Sequence, residues 1–206
     1  MNNRIVTLLL GVAIACSLSA QDVLRIYCPH PEMNEEACGY VNEKNEVIIP
    51  IGKYPRLYSP IFDNIAFVSI KGKTGIYAIN RSEKVLFEVY YLDNGPDIVS
   101  EGLFRIIKNG KIGFADMTGE VVIEPKFHFV FPFQKDGTAV FNEGGTLVRD
   151  GDYTRYQGGQ WGVINKDGQI IVPASYQDGR ESQLKRNGKW YNISDIIKSL
   201  KFPTPK

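Results

Sequence analysis

Few side chains in this sequence are equipped for chemistry, and their spacing argues against it. Histidine occurs at His30 and His128 only, in separate segments and without a zinc-ligand spacing. Cys28 and Cys38 form no CxxC pair, and His30 is the one additional soft ligand near them. No GxSxG, HExxH, Walker A or GxGxxG pattern occurs, so neither an activated nucleophile nor a phosphate cradle is indicated. Acids such as Glu35, Glu36, Glu143, Asp150 and Asp152 are the residue type of glycoside hydrolysis, but adjacent strands gather surface carboxylates by default. The stretch "RDGDY" (149–153) lacks the spaced oxygens and closing Glu of a calcium loop and reads as a hydrated turn. His128, within "KFHFVF", reads as a partly packed loop residue. The expectation is therefore no catalytic residue, no metal and no cofactor: the chain is not read as an enzyme.

Aromatic recognition is the chemistry that remains. Tyr153, Tyr156 and Trp161 lie close in sequence and form a candidate platform on which a sugar ring could stack, although packing is the preferred role for Trp161 and for Trp190. Such a platform needs elements to hold it. The 206 residues include 20 Gly and 11 Pro spread along the chain, which points to many turns rather than long helices. Hydrophobic residues make up 43%, enough for a sizeable core. A formal net charge of +1 creates no field that would attract nucleic acid or an anionic membrane surface, so neither is expected as a partner.

One pattern recurs. "CGYVNEKNEVIIP" (38–50), "GKTGIYAINRSEKVLFEVY" (72–90), "NGKIGFADMTGEVVIEPKF" (109–127) and "GQWGVINKDGQIIVPASY" (159–176) align, with "NGKWYNIS" (187–194) as a closing fragment. Their common glycines, Gly39, Gly75, Gly113 and Gly162, stand 36, 38 and 49 residues apart. The last interval is inflated by the polar, Gly-rich 142–159, read as a long loop or an extra hairpin.

Each copy translates into three strands. An alternating segment such as "GLFRIIK" (102–108) leads to an Asn-Gly turn, Asn109-Gly110 or Asn187-Gly188, with Lys71-Gly72 in the equivalent place. A second strand ends at an Asp or Asn turn ("DMTGE", "NKDGQ"), and a third is expected to stop at Pro50 or Pro173. A lone meander cannot bury both of its faces, so the copies must pack on one another. Glycine within a strand costs stability and permits close approach, so the four common glycines are expected to make room for a neighbouring ring or backbone.

These stretches resemble the WG repeat, whose units share a GKWG-like start, a (D/N)xxG turn, an apolar strand ending in Ile-Pro or Val-Pro, and a following Tyr or Phe. The match is close at 159–176, good at 109–140 and degenerate at 72–90 and 38–63. The resemblance implies an all-β repeat module associated with binding or scaffolding, and it brings no catalytic residues. The fold expected is thus tandem three-stranded antiparallel meanders packed in series with a short C-terminal capping helix.

The ends of the chain read differently. Arg4, an apolar run from Ile5 to Ala15 and small residues through Ala20 describe an export signal over residues 1–20. Cleavage after Ala20 competes with a lipobox-like "AIAC" that would leave a lipidated Cys16 as the first residue. The apolar run is shorter than the roughly 20 residues of a membrane span, and no transmembrane span is expected after removal of the signal. Residues 21–37 form an N-terminal segment, within which Cys28 is expected to pair with Cys38 as a disulfide in an oxidising compartment. Repeats follow over 38–192. Residues 193–206 carry Ile193, Ile196, Ile197 and Leu200 at helical spacing, then a tail. The reading as a whole is an exported, non-enzymatic protein, periplasmic or extracellular, that binds another protein, with a glycan as the alternative partner.

Overall fold

Asn42, Asn80, Asp116 and Asn165 head four copies of one turn. In each, the side-chain Oδ1 accepts the backbone N–H groups two and four residues on, at 2.9–3.1 Å. The residue three on is left-handed: Asn45, Glu83, Gly119 and Gly168 have φ of 64°, 60°, 92° and 74°. A short polar side chain here takes over hydrogen bonds that the reversing backbone cannot make with itself.

The computed structural model describes residues 22–29, 37–92, 95–151 and 153–201. The expected export signal with Cys16, and also His30, Glu35, Glu36, Asp152 and the 202–206 tail, lie outside the described residues. The described residues are all-β apart from one helix. Its first meander is β1 (Leu24–Tyr27), β2 (Gly39–Val41) and β3 (Val47–Ile49), so the 21–37 segment supplies a first strand. Cys28 and Cys38 are joined by a disulfide between β1 and β2. Two short strands, β4 (Arg56–Leu57) and β5 (Ile61–Phe62), lead to the second meander, β6 (Ile65–Ser69), β7 (Ile76–Asn80) and β8 (Val85–Val89). A small hairpin of β9 (Tyr91–Leu92) and β10 (Gly95–Pro96) precedes the third, β11 (Leu103–Lys108), β12 (Lys111–Asp116) and β13 (Val121–Phe127). After β14 (Phe129–Val130), β15 (Thr138–Glu143) opens the fourth. The inserted hairpin of β16 (Thr146–Asp150) and β17 (Tyr153–Gln157) interrupts it before β18 (Gln160–Asn165) and β19 (Ile170–Tyr176) complete it. The last unit is partial: β20 (Asp178–Arg180), β21 (Gln183–Arg186) and β22 (Lys189–Asn192), with α1 (Ile193–Lys201) where a further strand would come.

Asn109 and Gly110 both have positive φ, 53° and 69°, and Lys108 pairs with Lys111, which is the two-residue turn expected. Asn187-Gly188 does the same between Arg186 and Lys189. In Lys71-Gly72 only the glycine is left-handed.

The third strands differ from expectation. Prolines do not stop β13 or β19: both run through Pro125 and Pro173. Ile112 pairs with Phe127 and Phe114 with Ile123, so residues 124–126 bulge opposite Gly113 alone. Trp161, Val163, Val172 and Tyr176 repeat this around Gly162. The bulge absorbs the missing proline N–H and carries its backbone across the glycine. A Cβ at Gly162 would stand 2.6 Å from the Val172 carbonyl oxygen, and one at Gly113 would be 2.5 Å from the Pro125 nitrogen. Gly39 lies beneath the backbone of Ile49, Pro50 and Ile51 in the same way, although there β3 does end before the proline. Gly75 differs. Its unit has no proline, β8 pairs opposite it without a crossing, and the glycine is used for a φ of 94°.

Side chains along the first strands alternate between two cores. Ala66 and Val68 join Leu24, Tyr40 and Phe62 of the first unit, whereas Ile65 and Phe67 join Phe104 and Ile106 of the third. Leu103 faces Phe133 and Phe141 of the fourth, and Val140 faces Leu184, Ile193 and Ile196 of the last. Each inner unit is therefore sealed by the unit before it and the unit after it. The turns agree with this serial order. Glu83 accepts hydrogen bonds from Lys53 and Tyr54, Gly119 lies against Ile65 and Leu86, and Gly168 lies against Ile123. The second and third units also join edge to edge, through Ile106–Val89 and Ile107–Glu88, into one seven-stranded sheet.

Candidate functional site

Arg105 breaks the alternation of β11. Its neighbours Leu103, Phe104 and Ile106 are apolar and buried, and it is itself only 2% exposed. A buried guanidinium requires partners. Its Nε donates to Asp97 Oδ2 at 2.9 Å, its terminal nitrogens reach Asp97 Oδ1 and the Val130 carbonyl, and its plane lies 4.2 Å from the centre of the Tyr90 ring. Asp97, with its side chain fully buried, neutralises the charge. The result is a rigid floor. Burial pushes the Tyr90 phenol up, Arg105 draws it back and Asp97 raises it further.

Above this floor opens a cavity of about 590 Å³. One wall is aromatic: Phe129 stacks on Tyr156 at 4.5 Å and meets Phe131 edge-on at 4.7 Å. Burial raises the Tyr156 phenol, Tyr90 adds to the rise and Arg105 opposes it. Gln177, Asp178 and Glu181 from the start of the last unit also line it. Arg155 and Gln157 come from β17, and the exposed side chains of Ile98 (65%) and Leu147 (58%) complete the lining.

The insertion is fastened at its base. Buried Asn142 accepts the Gly145 N–H at 2.9 Å and donates to the Gly158 carbonyl at 3.1 Å. Gly144 donates its N–H to His128 Nδ1 at 3.0 Å, which gives His128 a positioning role. Gly159 packs against the backbone of Glu143 and Gly145. Asn142 and the paired glycines thus fix the base of the hairpin, whose Leu147, Arg155, Tyr156 and Gln157 line the cavity.

The structure brings Tyr156 and Trp161 to this one cavity. Trp161 is 3% exposed, with Phe131 stacked near one face and Gly179 so close that a Cβ there would meet the indole at 2.5 Å. It therefore offers an edge to the cavity, and the available ring is Tyr156. Tyr153 pairs with Asp150 at the hairpin tip, and its side chain lies outside the described atoms. Gly39, Gly75, Gly113 and Gly162 stand elsewhere, under their own units' backbones and turns. Sequence reasoning missed Tyr90, Arg105, Phe129, Phe131, Gln177, Asp178 and Glu181. One signal was present: an arginine in a strand position whose neighbours on both sides are buried apolar residues. Among the described residues, no group of three or more His, Cys, Asp or Glu could hold a metal ion. No helix there is long and apolar enough to cross a membrane.

Serial meanders sealed face to face, one of them carrying an inserted hairpin over a cavity, define an all-β repeat protein. Residues 39–73, 112–146 and 161–180 match the family model described as WG containing repeat, and these three matches support the WG repeat family. The second strand and third strand of the second unit fall outside them, and that is the unit without the proline bulge over its glycine. No curated protein and no solved structure matches the chain.

Proposed function

We propose that this is an exported, non-enzymatic binding protein whose repeats serve as scaffold and whose cavity beneath the inserted hairpin is the binding site. The single observation that carries this reading is a coincidence of position. The place where the repeat spacing breaks, 142–159, is the segment that brings Leu147, Arg155, Tyr156, Gln157 and Gly158 to the cavity. A scaffold alone has no need of a hairpin clamped by a buried asparagine. Mostly apolar walls with a few polar groups, in a volume within the roughly 300–1,000 Å³ of small-ligand pockets, favour a ligand taken into the concavity. A folded protein partner, the leading expectation from sequence, needs about 800 Å² of contact on its own side. The concave cavity favours a smaller ligand. The disulfide between Cys28 and Cys38 supports an oxidising, exported location.

The test replaces residues 144–159 with the Asn-Gly turn used elsewhere in the chain. Thermal unfolding of wild type and variant is then compared in buffer and in soluble extract from the export compartment. A ligand at about 100 times its Kd stabilises by about 2.7 kcal/mol, a shift of roughly 5–10 °C for a chain of this size. The reading expects that shift for wild type only. Equal behaviour of the two proteins in extract contradicts it.

A further inference from the structure

We infer that the cavity takes a short neutral glycan, an assignment that rests on the binding reading above and names its ligand. Charge decides first. Arg105 is neutralised by fully buried Asp97, so its charge is not available to an incoming anion. The other charged residues of the lining are Arg155, Asp178 and Glu181. A phosphate or sulfate site gathers unmatched cations or a helix N-terminus. The carboxylates here oppose that. A quaternary ammonium site needs aromatic rings set around the cation, and here Phe129 and Tyr156 stack on each other instead. A neutral ligand is what the two signs together leave.

Hydrogen-bonding character decides next. Gln177 Oε1 already accepts the Asn187 N–H at 2.9 Å, which turns the amide N–H groups of Gln177 into the donors it has to offer. Asp178 and Glu181 supply acceptors, and Gln157, like Gln177, supplies donors. Hydroxyl groups, each donor and acceptor at once, satisfy such a mixed set. Shape supplies the third constraint. Tyr156, backed by Phe129 at 4.5 Å, is held as a rigid ring at the cavity wall. A pyranose has the matching form, an apolar C–H face for the aromatic wall and a hydroxyl edge for the polar side.

The experiment uses the full-length mature protein with Trp190→Phe, so that Trp161 at the cavity wall is the sole tryptophan emitter. Chitotriose, cellotriose, maltotriose and xylotriose are titrated as neutral probes. A sulfated disaccharide, a tetramethylammonium salt and a Phe-containing tetrapeptide are the comparators. At least one neutral trisaccharide should produce a saturable change in Trp161 emission. Tyr156→Ala should then weaken its Kd at least tenfold, Tyr156→Phe less than threefold, and Tyr191→Ala on β22 not measurably, with circular dichroism unchanged in all three. Saturation by a comparator alone overturns the glycan assignment and leaves the binding reading standing. Silence toward every probe, together with no extract-induced stabilisation of wild type, overturns both. Silence toward every probe with that stabilisation intact overturns the glycan assignment alone.

Discussion

The carbonyl oxygen of Val172 lies over Gly162 so closely that a Cβ on the glycine would stand 2.6 Å from it. The same crossing recurs between Ile123 and Gly113 and between Ile49 and Gly39. At Gly113 and Gly162 the glycine and the proline are thus one feature: the proline lies in a bulge, and the bulge passes where a side chain would be.

Alanine at Gly113 or Gly162 must push a backbone aside, and overpacking of this kind costs about 1–3 kcal/mol. Alanine at Gly75 meets only the flexible end of Glu88 and suffers from its φ of 94° instead, a cost of roughly 1 kcal/mol. Urea unfolding should rank Gly113→Ala and Gly162→Ala as the more damaging. The reverse order would mean that the crossing strand yields easily.

Asp116 does with a carboxylate what Asn42, Asn80 and Asn165 do with an amide. Partial burial pushes its carboxyl up, but hydrogen bonds from Thr118, Glu120 and Gly119 outweigh that and hold it below the usual carboxylate value. A group depressed on folding contributes stability above its unfolded pKa of about 3.9 and loses it as pH falls through the folded value. Asp116→Asn should keep the turn and flatten this acid limb. Asp116→Ala should cost about 1 kcal/mol at pH 7, with the penalty shrinking below pH 4. Stability measured against pH for the three proteins checks both signs.

Beneath the cavity, Asp97→Ala strands the Arg105 guanidinium in a buried site and should cost about 3–5 kcal/mol. Replacing both partners with apolar residues, Arg105→Met with Asp97→Leu, should recover most of that loss. A double-mutant cycle by chemical denaturation provides the comparison. If Asp97→Ala is nearly neutral, the pair is not the floor described above.

The Cys28–Cys38 disulfide closes a short loop at the first unit. Its removal by serine substitution should cost about 2–4 kcal/mol. Because units touch only their neighbours, the loss should be local. Hydrogen exchange should quicken in β1–β3 and remain slow in β18 and β19.

The repeat was readable because its turns are made by residues with few conformational alternatives. Asn-Gly at 109–110 and 187–188 admits little besides a tight hairpin, and the Asp or Asn heading each second turn reappears at its expected place. The course of the chain at Pro173 was not readable. Proline signals a lost N–H, and over a glycine it ends β3 at Pro50 but lies within a continuing strand at Pro125 and Pro173, a difference that the residue types do not carry. The edge pairing of Ile106 with Val89 was equally hidden, since both residues are simply apolar in sequence. The cavity is assembled from residues that include Tyr90, Arg105, Phe129, Tyr156 and Gln177, which lie in five different stretches of chain. Only Tyr156 was singled out beforehand, because aromatic type is visible locally and convergence is not.

Val140 and Phe141 are consecutive on β15, both fully buried, and face opposite neighbours. Hydrogen exchange of Val140→Ala and Phe141→Ala tests serial sealing most directly. Val140→Ala should loosen β20–β22 and α1, while Phe141→Ala should loosen β12 and β13. If both substitutions loosen the same strands, the units do not seal one another by opposite faces.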